Sequence, residues 1–135
     1  MPSTDAGAPH VLLVDDDAAV AKALGTLLSR AGYRVCVAGS AREAEVQLDQ
    51  RFDALVLDLR MPEMRGDALY YLACVRQPWL TDCTLFVTAD ITEQAEEIVR
   101  LTGCQLLQKP FRGKTLLQHV LTLAPLAPRV IDRAC

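Results

Sequence analysis

The stretch Ala54-Leu55-Val56-Leu57-Asp58-Leu59-Arg60-Met61-Pro62 decides the fold. Four apolar residues in a row, without alternation, read as a strand buried on both faces. Pro62 forbids that strand from continuing. A carboxylate is costly in such surroundings unless it sits at the mouth, where water or a cation reaches it. The run therefore predicts Asp58 as the last residue of a central strand, aimed into a crevice.

Three further strand ends point the same way. Val11-Leu12-Leu13-Val14 ends in Asp15-Asp16-Asp17. Leu85-Phe86-Val87 ends in Thr88, and Leu106-Leu107 runs out through Gln108 to Lys109 and Pro110. In an open parallel α/β sheet, ligands bind beyond the carboxyl ends of the strands. The acids, the hydroxyl and the lysine are thus expected to converge on one site.

Helical patterns fill the intervals. Val20, Ala23, Leu24, Leu27, Leu28 and Ala31 repeat at helical spacing, with Gly32 as the stop. Tyr33 to Val37 form a short strand. Ser40-Ala41-Arg42-Glu43 is a capping-box pattern opening a helix to about Gln50. A loop through Gly66 leads to a helix from about Asp67 to Gln77, closed by Pro78. Thr92 to Thr102 is a helix with Ala95, Ile98 and Val99 inward and Glu93, Glu96 and Glu97 outward, stopped by Gly103. The last helix carries Leu116, Leu117, Val120, Leu121 and Ala124 on its apolar face and ends at Pro125. Five strands alternating with five helices call for a doubly wound α/β domain, a parallel sheet with helices on both faces. Residues 1–9 read as a flexible leader, 10–124 as the domain, and 125–135 as a tail or the start of a linker.

Composition narrows the class. The 135 residues, 51% of them hydrophobic, suit one domain of ordinary size. A net charge of −3 and no basic run argue against direct nucleic acid binding. No apolar stretch approaches the ~18 residues a membrane span needs. The cysteines, Cys36, Cys74, Cys83, Cys104 and Cys135, are odd in number and lack Cys-x-x-Cys spacing, so reduced thiols in a cytoplasmic protein are expected.

The chemistry of the cluster follows from its residue types. A carboxylate is a nucleophile toward phosphorus, giving an acyl phosphate. A divalent cation then neutralises the phosphoryl charge against the acids, and magnesium favours hard oxygen ligands. Asp15 or Asp16, with Asp58, supplies such ligands. Thr88 is placed to donate to one phosphoryl oxygen and Lys109 to set a point charge on another. Without a cation the acids repel, so one carboxyl is expected to hold its proton to a higher pH. Taken singly, each residue has an ordinary explanation: Asp-Asp-Asp as a helix start, residues 58–62 as a turn, Thr88 as a cap, Lys109 as a surface lysine. Their joint placement at successive strand ends favours the site.

Val14-Asp15-Asp16-Asp17, Asp58-Leu59-Arg60-Met61-Pro62 with Gly66, Val87-Thr88-Ala89 and Lys109-Pro110-Phe111 resemble the receiver domain of bacterial two-component response regulators. The resemblance covers about residues 10–124. It implies a flavodoxin-like sheet of strand order 2-1-3-4-5, with Asp58 as phosphate acceptor. It also implies magnesium (or manganese as a substitute) on Asp16 directly, on Asp15 mostly through water, on Asp58 and on the Arg60 carbonyl. Thr88 and Lys109 bind the phosphoryl group, and the Lys109–Pro110 bond is cis. The implied partners are a sensor histidine kinase or a histidine phosphotransfer protein. An output domain, a partner protein or a second copy is expected at the face of the fourth helix, fifth strand and fifth helix. Asp17 has no fixed family role and is expected to cap the first helix. One position departs: Leu106 stands three before Lys109, where the family usually carries an aromatic residue that swings inward with the threonine.

Two other readings remain open on sequence alone. Asp15-x-Asp17, Thr88 and Lys109 also resemble haloacid-dehalogenase-type phosphatases, a reading that leaves residues 58–62 unexplained. The other is a receiver-like interaction module that never turns over phosphate.

Overall fold

The computed structural model describes residues 7–62 and 66–127. In chain order the elements are β1 (His10–Val14), α1 (Ala18–Ala31), β2 (Arg34–Ala38), α2 (Ala41–Gln47), β3 (Ala54–Asp58) and α3 (Gly66–Arg76). They continue with a 3₁₀ turn (Pro78–Asp82), β4 (Thr84–Thr88), α4 (Glu93–Thr102), β5 (Gln105–Gln108) and α5 (Gly113–Leu123). All strand pairs are parallel, in the order β2-β1-β3-β4-β5.

Every residue of β1, β3 and β4 is buried, which is why their sequences do not alternate. Successive side chains enter opposite cores. Leu12, Leu55, Leu57 and Phe86 join residues of α2, α3 and α4 on one side. Val11, Val56, Leu85 and Val87 join Leu28 of α1 and Leu116 and Val120 of α5 on the other. Each fully buried leucine stabilises the fold by roughly 1.5–3 kcal/mol. The edge strands β2 and β5 are only partly covered.

Helix ends follow local chemistry. The Asp17 carboxylate accepts from the Ala19 and Val20 N–H groups, capping α1. Ser40 accepts from the Glu43 N–H at 3.1 Å, while the Glu43 carboxylate reaches back to the Gly39 N–H at 3.0 Å. Thr92, and not Thr88, caps α4. Gly32 and Gly103 close α1 and α4 at φ 118° and 75°, where a side chain is strained.

Four expectations need correction. The expected strand from Tyr33 begins at Arg34, because the Tyr33 N–H closes α1 on the Leu28 carbonyl and its hydroxyl donates to the Ala124 carbonyl at 2.6 Å. The helix expected to reach Gln50 stops at Gln47, since the Leu48 and Gln50 carbonyls accept from the Gln77 side chain at 3.1 and 2.7 Å. On α1, Ala23 is exposed, and Ala21, Gly25 and Leu28 form the buried stripe. A Cβ at Gly25 would lie 3.2 Å from Val37, so only the smallest residue fits without a shift. On α5, Leu121 is exposed and not inward.

Contacts also extend past the expected domain ends. The Pro9 and Ala8 carbonyls accept from the backbone and side chain of Arg34. Leu126 packs on Gly32 and the core beneath α5. Gly7–Pro9, Arg30–Gly32, Leu126 and Ala127 together line a cavity of about 630 Å³ at the amino-terminal pole of the sheet.

That pole is fastened by neutral hydrogen bonds. Besides its two donations, buried Gln77 accepts from the Phe52 N–H at 2.8 Å. Trp79 Nε1 donates to the Phe52 carbonyl at 2.6 Å, and the Arg51 guanidinium stacks over the indole at 4.2 Å.

Candidate functional site

The parallel register sets Val14 beside Leu57, Asp58 beside Val87 and Thr88 beside Gln108. Each residue that follows or ends these strands therefore emerges at one edge. Lys109 is held there by its N–H on the Thr88 carbonyl at 2.8 Å, and the Lys109–Pro110 bond is cis.

Lys109 Nζ lies between two carboxylates, 2.7 Å from Asp15 Oδ2 and 3.0 Å from Asp58 Oδ2. The other Asp15 oxygen accepts from the Asp17 N–H at 2.9 Å, and the other Asp58 oxygen from the Arg60 N–H at 2.8 Å. Asp15 is 3% exposed, whereas Asp16 faces solvent. One carboxylate oxygen from each of Asp15, Asp16 and Asp58 lies within 4.8 Å of the others. Three hard oxygens so placed match the preference of magnesium.

Burial raises the Asp58 pKa; the Arg60 N–H and Lys109 oppose this, and the Asp15 charge adds to it last. The direction matches expectation, but the leading cause does not. Removal from water outweighs acid–acid repulsion, while Lys109 favours the charged form. Lys109 itself is pulled down by burial and pushed up more strongly by hydrogen bonds and charge from Asp15 and Asp58, so its pKa is raised.

Thr88 is buried at the end of β4, and its hydroxyl donates to the Asp90 carbonyl at 2.9 Å. It thus serves its own loop, which strand-end position alone does not reveal. Arg60 and Asp90 form an ion pair at 2.5 Å across the mouth, with side chains 60% and 63% exposed. Leu106 pairs in register with Phe86 and packs, partly buried, against the α3/α4-side core. Asp15, Asp16, Asp58, Arg60, Thr88 and Lys109 all come to this edge, whereas Leu106 lies within β5 against the core. The sequence missed the bridging of Asp15 by Lys109, since β1 and β5 are separated by β3 and β4 and nothing local in the sequence joins their ends. The four described cysteines, Cys36, Cys74, Cys83 and Cys104, are free thiols. Among the described residues, no helix is long and apolar enough to cross a membrane.

A doubly wound sheet of this order with acids, a threonine and a lysine at its carboxyl edge defines a phosphate-handling class of domain. The response regulator receiver domain family matches residues 11–121, and the chain belongs to that family. Transcriptional regulatory protein CpxR of Escherichia coli (strain K12) is 32% identical over 115 residues, which cover 82% of this chain and 47% of that protein. The chain thus spans about half the length of that relative. The non-phosphorylated HemR receiver domain from Leptospira biflexa superposes with a TM-score of 0.75 at 31% identity, covering 90% of this chain and 98% of that one. A response regulator protein from Burkholderia pseudomallei, solved with a phosphorylated aspartic acid, calcium ion and citrate, gives a TM-score of 0.73 at 25% identity, covering 83% and 66%. The phosphatase reading falls with this membership, and Asp17, the second acid of its Asp15-x-Asp17 pattern, is occupied in capping α1.

Proposed function

We propose that Asp58 accepts a phosphoryl group from a histidine kinase or histidine phosphotransfer protein, making the domain a phosphorylation-controlled switch. The observation that carries this reading is Lys109 Nζ held within 3.0 Å of both Asp15 and Asp58 at the sheet edge. The phosphorylated aspartic acid of the Burkholderia pseudomallei relative supports it.

Asp15, Asp16 and Asp58, with the Arg60 backbone carbonyl, would hold magnesium, or manganese in its place. When bound, the ion neutralises charge on the transferring group. A carboxylate oxygen of Asp58 attacks phosphorus. The new P–O bond forms as the bond to the donor's leaving group breaks, leaving an acyl phosphate on Asp58. Lys109 exchanges a carboxylate for a phosphoryl oxygen. Thr88 releases the Asp90 carbonyl to donate to another, so its present bond marks the resting arrangement. The domain promotes its own phosphorylation and slow dephosphorylation and transforms no separate substrate, which sets it apart from an enzyme.

Output is assigned to the face of α4, β5 and α5, through an output domain, a partner protein or a second copy of the chain. Leu106 has no polar tip and responds to Thr88 only by repacking. A differential of ~1 kcal/mol shifts a two-state ratio about fivefold, so a bound partner supplies the rest of the switch. The working unit is residues 10–124 with the flanking contacts of Ala8, Pro9 and Leu126, in the cytoplasm, without direct contact to nucleic acid.

Incubation with acetyl phosphate and magnesium is expected to add one phosphate by intact mass. Asp58→Asn and EDTA are each expected to abolish it. Labelling that persists in either case refutes the assignment, and a wild-type chain that never labels is an interaction module instead.

A further inference from the structure

A second pair of reactive side chains lies at the amino-terminal end of the sheet, away from the acids. His10 opens β1, is buried, and rests its ring on Phe52 with centroids 4.4 Å apart. Its Nδ1 is 3.2 Å from the Arg51 carbonyl oxygen, and its Nε2 is 3.2 Å from Cys36 Sγ. A carbonyl only accepts, so Nδ1 carries the proton and Nε2 of the neutral ring is a bare acceptor. Burial, then the Arg34 charge, lower the His10 pKa against the opposing Arg51 carbonyl and Asp53, which favours that neutral ring. The Cys36 thiol is therefore the donor of this bond.

A thiol beside a base, with the base oriented by a third group, is the arrangement that activates a nucleophile. Cys36 lies half-buried on edge strand β2, and its other polar neighbour is Oε1 of the exposed Gln50, at 4.0 Å. Solvent-borne reagents thus have a short way in.

We propose that, among the described thiols, Cys36 is the preferred site of oxidation by a small hydroperoxide, with His10 as its base. Sulfur attacks the terminal peroxide oxygen, an S–O bond forms and the O–O bond breaks. The thiol proton passes to Nε2 and on to the departing oxygen, so hydrogen peroxide yields a sulfenic acid and water. Sulfur loses two electrons and the peroxide gains them. The other described thiols lack this base. Cys104 is buried and its polar neighbours are the Thr81 and Thr102 carbonyls and the Tyr70 hydroxyl. Cys83 is pushed up by burial and by Asp82 and Asp53. The other histidine, His119, contacts Gln105.

The test is brief exposure of the reduced full chain to hydrogen peroxide with dimedone as trap, followed by peptide mapping of each cysteine. Cys36 is expected to exceed Cys74, Cys83 and Cys104 by at least about a hundredfold, the lower end of general-base assistance. In urea the preference should vanish. His10→Asn keeps an amide donor near the Arg51 carbonyl but removes the base, and should bring Cys36 to the level of Cys74. Even labelling of native Cys36 and Cys74 overturns the proposal without any variant. So does a Cys36 preference that survives in folded His10→Asn.

Discussion

At the carboxyl ends of β1, β3 and β5, Asp15, Asp58 and Lys109 meet as charges with little water around them. At the amino ends, Gln77 and Trp79 bind backbone groups of the α2–β3 connection as neutral donors and acceptors. The first arrangement is exchangeable: Lys109 has two partners, and Asp58 is disfavoured as an anion by its burial. The second is saturated, since Gln77 uses both amide hydrogens and its oxygen. One fold therefore keeps an adaptable end for chemistry on top of a fixed end for stability.

The sharpest way to break the contrast is Gln77→Ala. It leaves the Phe52 N–H and the Leu48 and Gln50 carbonyls without this partner, and an unsatisfied buried group costs about 1–3 kcal/mol. A loss of roughly 2–4 kcal/mol in urea unfolding is expected, with acetyl phosphate labelling of the folded fraction unchanged. A loss of labelling out of proportion to unfolding would show that the two ends are coupled.

At the acid end the sign reverses. The folded-state pKa of Asp58 is raised above its unfolded value, so its contribution turns against folding as pH rises through that window. The penalty is full above the folded value and absent below the unfolded one. Lys109, also raised, contributes stability that is complete below its unfolded value and lost only as pH climbs through the folded one. Asp58→Asn is therefore expected to raise the melting temperature at pH 7, because Asp15 still holds Lys109. The gain should shrink as the pH falls toward 4. An unchanged or lowered melting temperature at pH 7 would show the end to be saturated after all.

The smallest effect belongs to Arg60 and Asp90. Both side chains are exposed, so a double-mutant cycle with alanine should return only ~0–1 kcal/mol of coupling. The pair spans the mouth, and its removal should speed decay of the phosphorylated protein by opening the path for water. Equal decay rates in wild type and the double variant would remove that role.

Legibility in the sequence divides along the same line. β1, β3 and β4 announced themselves because both their faces are buried, and Asp15, Asp58 and Thr88 follow directly from where those strands stop. Asp17 as a cap was readable from its place before Ala18. The fixed end was not readable. Gln77 looks like a polar residue closing α3 before Pro78, and only the folded chain brings Leu48, Gln50 and Phe52 within its reach. The burial of Gly25 likewise depends on Val37, a residue of the neighbouring strand. Local pattern carries what one segment decides, whereas these assignments are decided between segments.

The cavity between Gly7–Pro9 and Leu126–Ala127 has a further consequence for wiring. Both ends of the packed body surface at one corner, beneath the amino ends of the strands. A five-residue strand spans roughly 17 Å, so any polypeptide fused at either corner hangs a full strand length from the carboxylates. From the attachment point itself, an event at Asp58 is felt only across the sheet or around the helices. The attachment point is thereby insulated from the chemistry, and the lateral faces become the channels by which the two communicate.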